Sequence, residues 1–81
     1  ATIASRRREM PEGSYTTHLF SSGTKKIRKK LGEEAIEVIG ADSAAELVSE
    51  AADLIYHLLV LLADEGVDFQ QVLSELQARH G

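Results

Sequence analysis

Residues 46–64 read Glu-Leu-Val-Ser-Glu-Ala-Ala-Asp-Leu-Ile-Tyr-His-Leu-Leu-Val-Leu-Leu-Ala-Asp, or ELVSEAADLIYHLLVLLAD. At about 100° per position on an ideal helix, Leu47, Ala51, Leu54, Leu58 and Leu61 form one apolar stripe. Val48, Ile55 and Leu59 face a second way, and Val60 a third. A helix apolar on nearly every side needs neighbours on every side. Strict alternation of apolar and polar residues over strand length occurs nowhere in the chain. The sequence therefore predicts an all-α fold.

Working outward from this helix, Ser43-Ala44-Ala45-Glu46 has the spacing of a capping box at its start, and Gly66 ends it after about Asp64. Asp68-Phe69-Gln70-Gln71 repeats the capping pattern and opens a last helix to about Arg79. Upstream, a long helix is predicted from about Thr24 to Ile39, stopped by Gly40 in a left-handed conformation. Before it, Ser14 caps a short helix over Tyr15 to Phe20, and Ser21-Ser22-Gly23 breaks it. The single proline, Pro11, sits in a Met10-to-Gly13 loop.

With 81 residues the chain is read as one domain over 1–81, with a thin core that favours oligomerisation. Charged residues are 27% and hydrophobic residues 43%, too apolar for disorder. The absence of cysteine excludes disulfides, thiolate metal sites and cysteine nucleophiles. A net charge of −4 argues against nucleic acid as a partner. The longest apolar run, Leu58 to Ala63, is far short of a membrane span, and no apolar segment follows the basic residues of Ala1 to Arg8. A cytoplasmic protein with no membrane partner is expected.

Four acidic residues fall where solvated residues are not expected. Ile27, Leu31 and Val38 make the apolar stripe of the Thr24–Ile39 helix, and Glu34 lies inside it with Glu37 on its flank. On the next helix Glu46, Glu50, Asp53 and His57 share one flank, Glu50 nearest the apolar centre. An inward carboxylate is costly unless paired. In an antiparallel helix pair Glu34-x-x-Glu37 and Glu50-x-x-Asp53 converge, and four carboxylates together call for a cation. All-oxygen ligands suit Mg²⁺ or Mn²⁺ rather than zinc or copper. A di-iron bundle needs Glu-x-x-His, which this spacing lacks. The bland alternative is a solvated acidic face, which describes Glu33, Glu46 and Glu65 well.

The basic run Lys25 to Lys30 is open to two interpretations. All of it is a solvated face, or Lys26 and Lys30, which flank Glu33 and Glu37, meet phosphate oxygens while Lys25 and Lys29 point outward. His57 is read as a structural neighbour of the carboxylates rather than a ligand.

Taken in order, Pro11-Glu12-Gly13-Ser14-Tyr15-Thr16, Leu19-Phe20, Gly23-Thr24-Lys25-Lys26-Ile27, Lys30-Leu31-Gly32-Glu33-Glu34-Ala35-Ile36-Glu37-Val38 and the segment from Glu50 to Leu62 closely resemble the phosphoribosyl-ATP pyrophosphohydrolases. The paired carboxylates alone resemble only the wider all-α nucleoside-triphosphate pyrophosphohydrolases, which include MazG-like and dimeric dUTPase-like enzymes. The narrower resemblance implies a Mg²⁺-dependent homodimer that hydrolyses phosphoribosyl-ATP to phosphoribosyl-AMP and pyrophosphate, the second step of histidine biosynthesis. It places the metal ligands at Glu34, Glu37, Glu50 and Asp53. Glu33 and Glu34 become the candidate catalytic carboxylates, and Lys26 and Lys30 the substrate-binding residues. The chain departs from the family pattern in a shorter N-terminal helix before Ile3 and a shorter interval around Gly40-Ala41-Asp42. The cyclohydrolase domain that some members carry is expected on a separate protein. Two rivals remain: a house-cleaning pyrophosphohydrolase of another nucleotide, and a non-catalytic helical dimerisation module.

Overall fold

Gly23 takes φ +95° and ψ 157°, a conformation that residues with a Cβ rarely adopt, and there the chain turns sharply between two helices. The computed structural model describes residues 15–81. Among them the helices are α1 (Tyr15–Ser22), α2 (Thr24–Ile39), α3 (Ala44–Asp64) and α4 (Phe69–His80), with no strand. The all-α class is therefore observed. The Pro11 loop, the Ser14 cap, the basic N-terminal stretch and the region before Ile3 lie outside the described residues.

The caps explain where α3 and α4 begin and where α3 stops. Ser43 accepts a hydrogen bond from the Glu46 amide at 3.1 Å, but Glu46 Oε2 accepts from the amide of Asp42 rather than of Ser43, so the box closes one residue early. Asp68 and Gln71 close a full capping box on α4. At the end of α3 Gly66 sits at φ +72°, with its amide on the Ala63 carbonyl and that of Val67 on Leu62, which is the Schellman pattern. Gly40 does not behave this way. Its φ is −87°, and the chain leaves α2 right-handed, the Gly40 amide on Ile36 and the Ala41 amide on Val38. Asp42 is then taken up by Glu46, so the short turn satisfies its donors without a left-handed residue.

α2 and α3 pack as an antiparallel pair, and α1 lies across them. At the closed end the Thr24 hydroxyl donates to Asp64 at 2.5 Å and Arg28 reaches Glu65 at 3.0 Å. The core is Leu19 and Phe20 from α1, Ile27 from α2 and Val60 from α3, with Tyr56, Leu61 and Ala63 packed against it. α1 contributes through its spacing, since Thr16, Leu19 and Phe20 recur at i, i+3 and i+4 and are the residues it buries.

The face of α3 that the chain covers is not the leucine stripe expected from the helical wheel. His57 and Val60 are its buried residues, while Leu47 remains 48% exposed and Leu54, Leu58 and Leu61 are half-buried. A single antiparallel partner covers one face only, and α1 and α2 cover the flank that also carries the acidic residues.

Candidate active site

The register of the α2–α3 pair brings the acidic residues together. Ile27 and Val60 share the core, and moving seven residues along α2 and seven back along α3 arrives at Glu34 and Asp53. Three more on each helix arrive at Glu37 and Glu50. Two turns of helix are nearly seven residues, so the same helix faces meet again at that interval.

Glu34, Glu50 and Asp53 each present a carboxylate oxygen within 4.8 Å of the other two. Glu34 is buried at 5% exposure, Glu50 is half-buried and Asp53 is exposed, so the group opens to solvent on one side. Glu37, exposed, sits against Glu50 closely enough for one carboxyl group to hydrogen-bond the other. Desolvation, and then the neighbouring Glu37 carboxylate, raise the Glu50 pKa above the ordinary glutamate value. Oε2 of Glu34 and Oε2 of Glu50 are both shielded from solvent and without a hydrogen-bond partner. The other oxygen of Glu34 is held by the Lys30 ammonium at 3.3 Å. Hydrogen bonding to Glu34 in turn raises the Lys30 pKa. Two carboxylates with an orphaned oxygen each, gathered with a third acid and with oxygen the only donor type, fit a hard divalent cation.

Behind the acids stands a polar chain that links α1 to α3. His57 Nδ1 lies 2.7 Å from the Asp53 carbonyl, which only accepts, so Nδ1 carries the proton. Nε2 then accepts from the Tyr15 hydroxyl at 2.9 Å. Tyr15 stacks on Tyr56, with ring centroids 6.1 Å apart, and the Tyr56 hydroxyl is hydrogen-bonded to Thr16. Partial burial raises the pKa of Tyr15, with the Lys30 ammonium opposing, which keeps its hydroxyl a donor. His57 is thus a buried structural residue. Replacing His57 with Ala is expected to destabilise the protein by about 2–4 kcal/mol, through a cavity and an unpaired Tyr15 hydroxyl. Tyr15→Phe should cost about 1 kcal/mol. Urea unfolding midpoints check both, and equal losses would mean the hydroxyl carries the whole effect.

Beside the acids, α1 and α2 enclose a cleft of about 330 Å³ lined by Tyr15, His18, Leu19, Ser22, Lys26, Lys29, Lys30 and Glu33. Glu33 is half-exposed and lies 3.8 Å from the Lys30 ammonium. Lys26 and Lys30 are both in this lining, and so is Lys29, which the helical wheel had turned outward. Lys26, Lys29, Lys30 and Glu33 stand at i, i+3, i+4 and i+7, one face of a helix, and that spacing was the available signal. His18 and Ser22, one turn apart on α1, were not singled out because α1's position over α2 is a tertiary fact.

Residues 1–80 match the family model of phosphoribosyl-ATP pyrophosphohydrolase. The chain belongs to this family. A phosphoribosyl-ATP pyrophosphatase of Zymomonas mobilis is 52% identical over 84 residues, covering 100% of this chain and 78% of that protein. The phosphoribosyl-ATP pyrophosphatase of Metallosphaera sedula is 54% identical over 80 residues, covering 95% and 86%. The histidine biosynthesis bifunctional protein HisIE of Halalkalibacterium halodurans is 54% identical over 83 residues, which are 99% of this chain but 39% of that protein. The phosphoribosyl-ATP pyrophosphohydrolase family thus occurs both alone and within longer proteins. No helix among the described residues is long and apolar enough to cross a membrane.

Proposed function

We propose that this chain hydrolyses phosphoribosyl-ATP to phosphoribosyl-AMP and pyrophosphate, as a step of histidine biosynthesis. The observation that carries this is the meeting of Glu34, Glu50 and Asp53, two of them with orphaned buried oxygens, in a chain of this family. Glu34, Glu37, Glu50 and Asp53 would hold Mg²⁺, with Mn²⁺ as a substitute. A bound divalent cation supplies positive charge against the phosphate oxygens and the developing charge of the leaving group.

The chain's own residues do the rest. Lys26 and Lys30 set ammonium groups against phosphate oxygens. Of the two candidate bases, Glu34 has one oxygen on Lys30 and the other shut off from solvent, whereas Glu33 is half-exposed beside the cleft. Glu33 therefore takes the proton of the attacking water. The water oxygen bonds to the α-phosphorus, the bond from that phosphorus to the bridging oxygen breaks, and the electron pair leaves with pyrophosphate.

Incubation with phosphoribosyl-ATP and Mg²⁺ is expected to release pyrophosphate and leave phosphoribosyl-AMP. Comparable turnover of unrelated nucleoside triphosphates would point to the house-cleaning reading instead, and no release from any nucleotide to a non-catalytic module. We further propose that the working form is a homodimer, because α3 and α4 leave large apolar residues uncovered in the single chain.

A further inference from the structure

We propose that Lys30 is the acidic cluster's built-in counter-ion: its ammonium stabilises the metal-free fold by pairing with Glu34 and, through the same contact, lowers the cluster's affinity for a divalent cation. This rests on the reading that Glu34, Glu37, Glu50 and Asp53 hold such a cation, and adds what keeps the site intact before the ion arrives. Among the described residues, Lys30 is the one basic side chain within 4 Å of any of these acids, 3.3 Å from Glu34.

Pairs one helical turn apart contribute little when both partners are exposed, as Arg79 and Glu75 are. Lys30 and Glu34 differ in burial. The Lys30 stem reaches in from a half-exposed position, Glu34 is buried, and the second oxygen of Glu34 meets neither solvent nor a donor. Helix geometry alone does not favour the pair, since a Lys four residues ahead of a Glu is the weaker order on an isolated helix. A shielded carboxylate that loses its partner keeps an uncompensated charge, which costs much more than an exposed pair contributes. The same ammonium repels a second cation brought to Glu34, and like charges oppose each other most strongly where water is excluded. One side chain thus sets stability without metal against affinity for metal.

Lys30→Met keeps most of the apolar stem and removes the charge. It is compared with the wild type and with Lys25→Met, which removes an exposed charge from the same helix. Melting temperatures are measured in EDTA, and free Mn²⁺ is read by electron paramagnetic resonance as the nucleotide-free protein is titrated with Mn²⁺. Lys30→Met is expected to lower the metal-free Tm by about 5 °C or more, and to bind Mn²⁺ on the order of tenfold more tightly. Lys25→Met should change neither. In a Glu34→Gln background, where no charge is left to pair, Lys30→Met should cost no stability. If Lys30→Met alone does not fold in EDTA, the double variant should still fold, and its failure would overturn the proposal. Mn²⁺ affinity unchanged or weakened in Lys30→Met, or equal responses in Lys30→Met and Lys25→Met, would overturn it while leaving the metal site standing. Mn²⁺ binding by neither wild type nor variants would sink the metal reading and the affinity claim together, and the Glu34→Gln comparison would still uphold or refute the pairing.

Discussion

Glu50→Gln is expected to lower kcat/KM by about 100-fold or more while raising the melting temperature of the metal-free protein. The two effects have one cause. Glu50 stands against Glu37, Asp53 and Glu34, with one oxygen out of reach of solvent and of any donor. Without a cation its charge is unwelcome, and a neutral amide of the same shape removes the repulsion. With a cation the same charge holds the ligand, and even residues that only support a metal ligand cost 10- to 100-fold when replaced.

Two measurements keep the roles of charge and fold separate. Added Mg²⁺ should raise the wild-type melting temperature, since a ligand that binds only the folded state stabilises it, and the shift should be much smaller in Glu50→Gln. The pH dependence in EDTA has a definite sign. Because the folded-state pKa of Glu50 is raised above its ordinary value of 4.5, its contribution to stability is complete below that value. The contribution is lost as the pH rises through the raised pKa. Mild acidification from neutral pH should therefore stabilise the metal-free wild type more than Glu50→Gln. Full turnover in excess EDTA, or an undiminished Mg²⁺ response in the variant, would end the case for a metal at these carboxylates.

How much of this was legible in the sequence follows from which interactions are local. The bounds of α3 and α4 are written by Ser43, Gly66 and Asp68, whose hydrogen bonds reach no further than a few residues. Glu34 could be turned inward from the wheel because Ile27, Leu31 and Val38 fix which face of α2 is apolar. α3 defeats the same method: apolar in every direction, it has no single inward face to find. His57 and Val60 are buried because α1 and α2 cover that flank, which no periodicity in residues 46–64 encodes. Lys29 was turned outward for the related reason that the wheel of α2 knows nothing of α1. Likewise the Tyr15–His57 hydrogen bond joins residues 42 apart, and only the folded chain brings them together.

The second large effect expected is that the protein does not persist as a folded monomer. Ile36 is 70% exposed, Ile39 83% and Val48 71%, and Ile55 on α3 is half-exposed. α4 has no buried residue at all, although Phe69, Leu73 and Leu76 lie along it. Such residues singly are ordinary on a surface, but here they recur on consecutive helices, and the buried apolar core among the described residues is four residues. A core that small does not offset the conformational entropy of ordering the described helices. A second copy related by a two-fold axis would supply the missing faces of α3, because a self-complementary apolar surface is buried on both chains at once. The buried area should be about 2,000 Å² or more, the range in which folding and association are coupled. The melting temperature should then rise by about 3–5 °C for each tenfold increase in protein concentration. Val48→Glu, which places a charge on the uncovered face and touches none of the acidic cluster, should dissociate the dimer and unfold the chain together. Sedimentation equilibrium at micromolar concentration gives the decisive reading, for a stable folded monomer there would leave Ile36, Ile39 and Val48 exposed to water and the dimer refuted.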